Sequence, residues 1–371
     1  MSDSLPAAAR AAAAIAAKHA DDSEAARKLA PEVVSALVAS GLARHFVPSR
    51  WGGADGSFTD LTEAVAAIGE GCASAAWCAG VYSSAARMGV YLPEQGQAEL
   101  WAQGPDVLVV GALIPGGTVE KAAGGWLVTG AWPFTSGVDH ADWALVCGLP
   151  APGEPGGPRF FAVPRADFAI QQTWFNVGMR GTGSNTLVLD RAFVPEYRSF
   201  LRSAMQEGRA VGSAARCHTA PIRAFGGLTF AAPALGAARG ALRAWTANMA
   251  RRSDLTGRPF PELSTVQLVL ARSAGEVDAA ALLLDRVARL GDEGELTPAV
   301  ITRGARDYAL AVDLLVGAVE RLFRAEGARG QAETGLVQRA WRDVHCAAGH
   351  VGLQFDTAGA AYATAAFAEV A

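Results

Sequence analysis

The chain has 371 residues, 51% of them hydrophobic, and carries a net charge of −4 from interleaved acids and bases. That length allows two or three domains around a large core, while the mildly acidic balance leaves no basic footprint for nucleic acid. No run approaches twenty consecutive apolar residues, which argues against a membrane span, and the Ala-rich start meets acids too soon for a secretory signal, so a cytoplasmic chain with no membrane partner is expected.

From Ala7 to about Gln103 the pattern is helical. A first Ala-rich segment is followed by Glu24–Ser40, closed by Gly41 in the position that ends helices. After the turn Pro48 to Gly53, Ser57 or Thr59 can cap a helix running through Ile68. A long apolar helix over Ser74–Val90 and another after Pro93 follow, and the small-residue run Cys72–Trp77 suits close helix packing.

Near Asp106 the period changes. Short β-branched or aromatic runs punctuated by Gly and Pro, such as Val107–Ile114, Phe160–Val163 and Leu187–Leu189, predict a β-domain reaching about Phe200. Within it, Leu149–Arg159 reads as an exposed hairpin loop. Helical patterning returns over Ala224–Arg252, Leu263–Leu290, Pro298–Arg324, Glu333–Gly349 and a last apolar helix to Ala371, which predicts an up-down bundle. Much of that surface is apolar all round, as burial in an oligomer requires. The boundaries are residues 1–105 (N-terminal helical domain), 106–205 (central β-domain) and 206–371 (C-terminal bundle).

Common catalytic frameworks are missing. The sequence holds no G-x-G-x-x-G opening a helix, P-loop, G-x-S-x-G or H-E-x-x-H. Its five cysteines form no C-x-x-C pair, so neither a disulfide framework nor a metal site is expected.

Two stretches hold awkward residues in close order. Gly130–Trp143, GAWPFTSGVDHADW, sets two Trp, a Phe, a Thr-Ser pair and an Asp-His pair between the β-type runs Trp126–Val128 and Ala144–Val146. A well-packed hairpin needs only turn residues there; aromatic walls beside adjacent hydroxyls also suit a planar, hydrogen-bonding ligand. The second stretch, Gly178–Val194, places Arg180 and Gly181-Thr182-Gly183-Ser184 just before another strand.

Together these segments resemble the middle domain of the acyl-CoA dehydrogenase superfamily, where a strand-break-strand lies along the flavin ring and an Arg-Gly-Ser turn follows. Pro133-Phe134-Thr135-Ser136-Gly137 and the Gly-Thr-Gly-Ser turn are more similar to the flavin-dependent monooxygenase branch, the oxygenase components of two-component aromatic hydroxylases. The resemblance covers nearly the whole chain and implies an α+β fold: N-terminal helical domain, central β-barrel domain and C-terminal four-helix bundle, assembled as a homo-tetramer or dimer.

It also implies reduced FMN or FAD delivered by a separate flavin reductase, reaction with dioxygen to a flavin hydroperoxide, and transfer of one oxygen atom to an aromatic or amine small molecule. Trp132, Phe134, Thr135 and Ser136, with Thr182 and Ser184, are then the residues along the flavin. Arg180, Arg252, Arg258 and Arg342 are candidates for its phosphate, since a guanidinium grips oxygens in a fork.

Dehydrogenases of the superfamily need a Glu base. Ala224–Arg252 contains no carboxylate, and after Arg342-Asp343 come His345 and His350 but no Glu, so thioester desaturation lacks a proton acceptor. If the last bundle helix runs through Gly349, Asp343 and His350 share a face about 20° apart, with His345 about 140° from His350. His350 is thus the candidate base toward a phenol, with Ser136 and His140 as further catalytic candidates; His140 can equally bond the backbone. An acyl-CoA dehydrogenase-like oxidoreductase with a relocated base, or a non-catalytic scaffold, stays open.

Overall fold

A computed structural model describes residues 4–150 and 157–368. The N-terminal region is helical: α1 (Leu5–Lys18), α2 (Ala20–Ala26), α3 (Pro31–Ala39), α4 (Phe58–Gly69), α5 (Ala73–Met88) and α6 (Glu94–Leu100). The expected single helix Glu24–Ser40 is two helices. Arg27 takes a left-handed conformation (φ 53°) that ends α2, and Pro31 opens α3, where its missing N–H costs nothing. Ser57 caps α4 by accepting the Asp60 N–H, and Asp292, from the far end of the chain, accepts the Phe58 and Thr59 N–H groups at 2.6 and 3.0 Å. Two carboxylate bonds at a helix N-terminus are favoured by the free N–H groups and the dipole there.

The middle of the chain is one seven-stranded sheet: β1 (Val109–Ala122), β2 (Gly125–Thr135), β3 (Trp143–Pro150), β4 (Arg159–Pro164), β5 (Ala169–Gln171), β6 (Asn185–Pro195) and β7 (Ser199–Leu201), in the order β5-β6-β2-β1-β3-β4-β7. The expected barrel takes this form, with the short strands β5 and β7 at its ends. β2 and β3 are not a hairpin. They flank β1, β2 antiparallel and β3 parallel to it, so the chain from Ser136 to Asp142 crosses one end of the sheet instead of turning back on itself. β3 and β4 do pair on either side of the Leu149–Arg159 loop, of which residues 151–156 lie outside the described residues.

After the short helices α7 (Arg202–Glu207), α8 (Arg216–Thr219) and α9 (Ile222–Phe225), the bundle is built from α10 (Leu228–Met249), α11 (Ser264–Glu293), α12 (Pro298–Glu326), α13 (Leu336–Ala348) and α14 (Phe355–Ala368). α10 is its axis. It packs on α11, α12 and α13 and, through its other side, on α4 and α5. Small residues permit this: a Cβ at Gly236 would lie 2.2 Å from the Ala66 carbonyl oxygen. Bundle and N-terminal helices therefore share one core with the inner face of the sheet, which brings α5, the end of β2 and the segment after α13 together.

Candidate active site

The crossing after β2 begins at Phe134, whose left-handed backbone (φ 61°) turns its ring outward, 68% exposed and edge-on to Trp174 at 6.3 Å. Gly137 (φ 74°) completes the break. Its N–H donates to the Thr182 carbonyl at 2.8 Å, its carbonyl accepts from the Tyr82 hydroxyl at 3.0 Å, and a Cβ there would meet that hydroxyl at 2.6 Å. The break is therefore clamped between α5 and the turn before β6.

Between these two residues Ser136 is 8% exposed and sits in a line of hydrogen bonds. The Trp77 indole N–H donates to Ser136 Oγ at 2.9 Å. Ser136 Oγ lies 2.7 Å from Ser184 Oγ, and Ser184 Oγ lies 2.6 Å from Thr182 Oγ1. Thr182 donates to the Met179 carbonyl at 2.8 Å, an oxygen that also takes the Trp174 indole N–H. Met179 is left-handed (φ 51°) and its own N–H donates to Asp343 Oδ1 at 2.6 Å. Burial pushes the Asp343 carboxyl up to about 6, against the pull of the Met179 N–H and Arg342.

His350 closes the group from the bundle side. Its ring stacks on Phe230 of α10 at 3.8 Å and stands edge-on to Trp77 at 5.8 Å. α13 ends at Ala348, so His350 is extended (ψ 133°) and does not share a helical face with Asp343, as an unbroken helix would have required. Its Nδ1 accepts the Gly352 N–H at 3.1 Å, so in the neutral ring the proton sits on Nε2, which is a donor. Burial lowers its pKa to about 4. An imidazole so wired offers an N–H to a ligand oxygen, and as a proton acceptor it is weak.

Other expected site residues lie elsewhere in function. Trp132 is fully buried and its indole donates to the Cys147 carbonyl of β3 at 2.8 Å, which holds β2 to the sheet; Thr135 is also buried and its hydroxyl donates to Trp132 O at 3.0 Å, a bond within β2. His140 Nε2 bonds the Leu29 carbonyl at 3.0 Å, tying the crossing to the segment before α3, and burial lowers its pKa. Its neighbour Asp139 accepts from Asn185 at 3.1 Å, so the two form no catalytic dyad.

Among the arginines, Arg342 places one guanidinium nitrogen each on Glu24, Val177 O and Gln338, at 2.7 to 2.8 Å. Arg180 reaches Glu24 at 3.5 Å through one nitrogen, while its buried Nε has no partner among the described residues. Arg252 bonds the Glu326 carbonyl and lies over Phe260, and Arg258 bonds the Glu262 carbonyl. Both follow the C-terminal end of α10, roughly 30 Å along the helix from Phe230 at 1.5 Å per residue. One chain does not bring them to Ser136 and His350.

Trp77, Phe230 and Trp174 were not expected as site residues. Trp77 ends the small-residue run on α5, and only its outsized side chain there could have marked it. Two surface grooves, about 540 Å³ beside Arg321 and Arg324 and about 390 Å³ between Ala17 and Arg243, are lined by none of these residues.

Residues 4–100 match the acyl-CoA dehydrogenase N-terminal domain family and residues 228–355 its C-terminal domain family. The chain is 32% identical over 356 residues to the FADH(2)-dependent resorcinol hydroxylase, oxygenase component, of Rhizobium sp. (strain MTP-10005), covering 91% of this chain and 87% of that protein. The chain belongs to the acyl-CoA dehydrogenase family. Within it, relatives of this chain are oxygenase components of flavin-dependent hydroxylases. The crystal structure of 3-HSA hydroxylase from Rhodococcus sp. RHA1 superposes with a TM-score of 0.92 at 28% identity, covering 99% of this chain and 97% of that one. XiaF from Streptomyces sp., in complex with FADH2 and glycerol, superposes with a TM-score of 0.92 at 26% identity, covering 98% and 95%. The α+β family fold is therefore the one expected, helical at both ends with a sheet between, and no described helix is long and apolar enough to cross a membrane.

Proposed function

We propose that the chain is the oxygenase component of a two-component flavin-dependent monooxygenase that hydroxylates a phenolic small molecule, with reduced FMN or FAD supplied by a separate reductase. The observation that supports it best is the meeting of Ser136, just after β2, and His350, just after α13, on the Trp77 ring, with the exposed Phe134 ring two residues before Ser136. The residues present fit a flavin: an outward aromatic face at Phe134, a hydroxyl two residues on at Ser136, and Arg180 Nε, which has no partner among the described residues. When bound, the reduced flavin would activate dioxygen and supply the oxygen atom.

The chain's own residues then bind, orient and exclude water. His350 Nε2–H donates to the substrate's ionised oxygen, and the half-buried stack of His350 on Phe230, edge-on to the buried Trp77, forms an apolar wall beside it. Ser136, Phe134, Thr182, Ser184 and Arg180 serve the flavin; Arg252 and Arg258 serve, if any, the flavin of another subunit. Thioester desaturation is disfavoured because α10 carries no carboxylate and Asp343 is buried and committed to Met179 N–H.

The same reading divides the chain into residues 1–105, 106–205 and 206–371 and assembles it as a cytoplasmic homo-tetramer. In support, Leu268 and Leu282 of α11 are more than two-thirds exposed, and α14, though rich in Ala and Phe, buries no residue in the single chain. The test is anaerobic addition of reduced flavin followed by air and a panel of phenols. Stoichiometric hydroxylated product is the expected result, and reduction of bound oxidised flavin by an acyl thioester would refute it.

A further inference from the structure

The line of hydroxyls beside Phe134 has a direction. Its two ends are fixed by chemistry: the Trp77 indole can only donate and the Met179 carbonyl can only accept. Each hydroxyl between them has one proton. Thr182 spends its proton on Met179 O, so across the 2.6 Å contact it must accept from Ser184. Ser184 has then spent its proton, so across the 2.7 Å contact it must accept from Ser136. Ser136 therefore donates to Ser184 and accepts from Trp77. What remains on Ser136 Oγ is a single lone pair and no proton.

We infer that this wire, Trp77 to Ser136 to Ser184 to Thr182 to Met179 O, sets the flavin redox state that the site accepts, by presenting an acceptor and never a donor to the ring edge. The inference rests on the flavin reading above and concerns Trp77, Ser184, Thr182 and Met179 as positioning residues. The central ring of a reduced flavin carries an N–H where the oxidised ring has only a lone pair. Reduced flavin meets the Ser136 lone pair with a proton; oxidised flavin meets it with a second lone pair. A serine free to rotate would serve both states, since a hydroxyl can turn to donate. This one cannot, because its proton is committed to the buried Ser184, whose own is committed to the buried Thr182. The Met179 turn that anchors the wire is itself held by Asp343 from the bundle, so the polarity at the flavin edge depends on the docking of α13 against the sheet.

The test is anaerobic titration of the whole protein with oxidised and with reduced flavin, read as two dissociation constants, with no turnover. Wild type is expected to prefer the reduced form. Thr182→Val keeps the shape and removes the acceptor, releasing the Ser184 proton and with it that of Ser136. Ser136 can then turn to donate, and the reduced-over-oxidised preference should fall by about two- to tenfold, the worth of one hydrogen bond, through tighter binding of the oxidised form. Ser184→Ala should do the same by cutting the next link, and Thr182→Ser should keep the wild-type ratio.

The inference is overturned if Thr182→Val and Ser184→Ala, shown folded by circular dichroism, keep the wild-type ratio, or if Thr182→Ser shifts it as far as Thr182→Val does. Wild type binding both forms equally would overturn the polarity argument while leaving the flavin site standing. Wild type binding neither form would remove the flavin reading and the wire's role with it.

Discussion

Replacing His350 separates two roles that an imidazole can play. As a base it would have to take a proton from a phenol of pKa about 10 onto a ring whose own pKa burial has lowered to about 4. That gap of roughly six units amounts to about 8 kcal/mol uphill before oxygen transfer begins. As a donor, its Nε2–H bonds a phenolate oxygen, an interaction worth about 1.5–3 kcal/mol, or roughly ten- to hundredfold in kcat/KM. His350→Phe keeps the stack on Phe230 and removes the donor, and His350→Gln keeps an N–H donor and cannot titrate. The assay is kcat/KM for a phenolic substrate between pH 6 and 10 with a saturating supply of reduced flavin. The expected result is a loss of ten- to hundredfold in His350→Phe that is constant across the range, with His350→Gln recovering most of it. A deficit in both variants that shrinks as the phenol ionises would restore His350 as the base and refute the assignment made from the Gly352 bond.

Further outcomes follow from the same geometry. His45, His140, His218 and His350 all have pKa values lowered chiefly by burial; at these groups the unfolded chain binds more protons than the folded one, so their contribution to stability is full above about pH 6.5 and is lost as pH falls. His350 accounts for about 3 kcal/mol of that loss between pH 6.5 and about 4, and His350→Phe should flatten the urea-midpoint profile over that window. Asp343 has the opposite sign: its pKa is raised by burial to about 6, so its ionisation costs stability as pH rises above about 4, and Asp343→Asn should gain on wild type at pH 8 relative to pH 4, which denaturant titrations at both pH values check. Gly137→Ala, strained at φ 74° and pressed on Tyr82, should destabilise by about 1–3 kcal/mol, and an unchanged Tm would contradict the clamp. Leu268→Arg with Leu282→Arg should reduce the assembly by light scattering; an oligomer of wild-type size would clear that face of α11.

The helices at both ends of the chain were legible because Gly41 after α3, Pro298 at the start of α12 and the Ala-rich periodic runs state their own limits locally. Glu24–Ser40 misled for the reverse reason: its apolar period survives the break, and the left-handed Arg27 is an unfavourable residue held by bonds to Trp174 O and Asn176 O, 147 and 149 positions away. Ser136, Thr182 and Ser184 were readable as a pair of motifs, but their common wire was not, because its first member, Trp77, sits on a helix that reads as plain packing. For His140 a ligand contact and a backbone bond are equally readable from the sequence; the bond found is to the backbone, but its partner, Leu29 O, 111 positions upstream, has no local signal. Local sequence signals hydroxyls, caps and breaks well; which of them meet is decided by pairings across the chain.

The placing of β1 between β2 and β3 also bears on how the protein forms. β1 and β2 are joined by a tight turn and can zip early, but Thr135 pairs with Asn185 and Gly125 with Pro195, partners fifty and seventy positions apart. Closing loops of that length is entropically unfavourable and slows folding. Until β6 arrives, Ser136 has no Ser184 or Thr182 beside it, so the proposed flavin edge is among the last parts to be assembled. Flavin present during refolding should therefore leave the early phase unchanged and act only on the final, slow one.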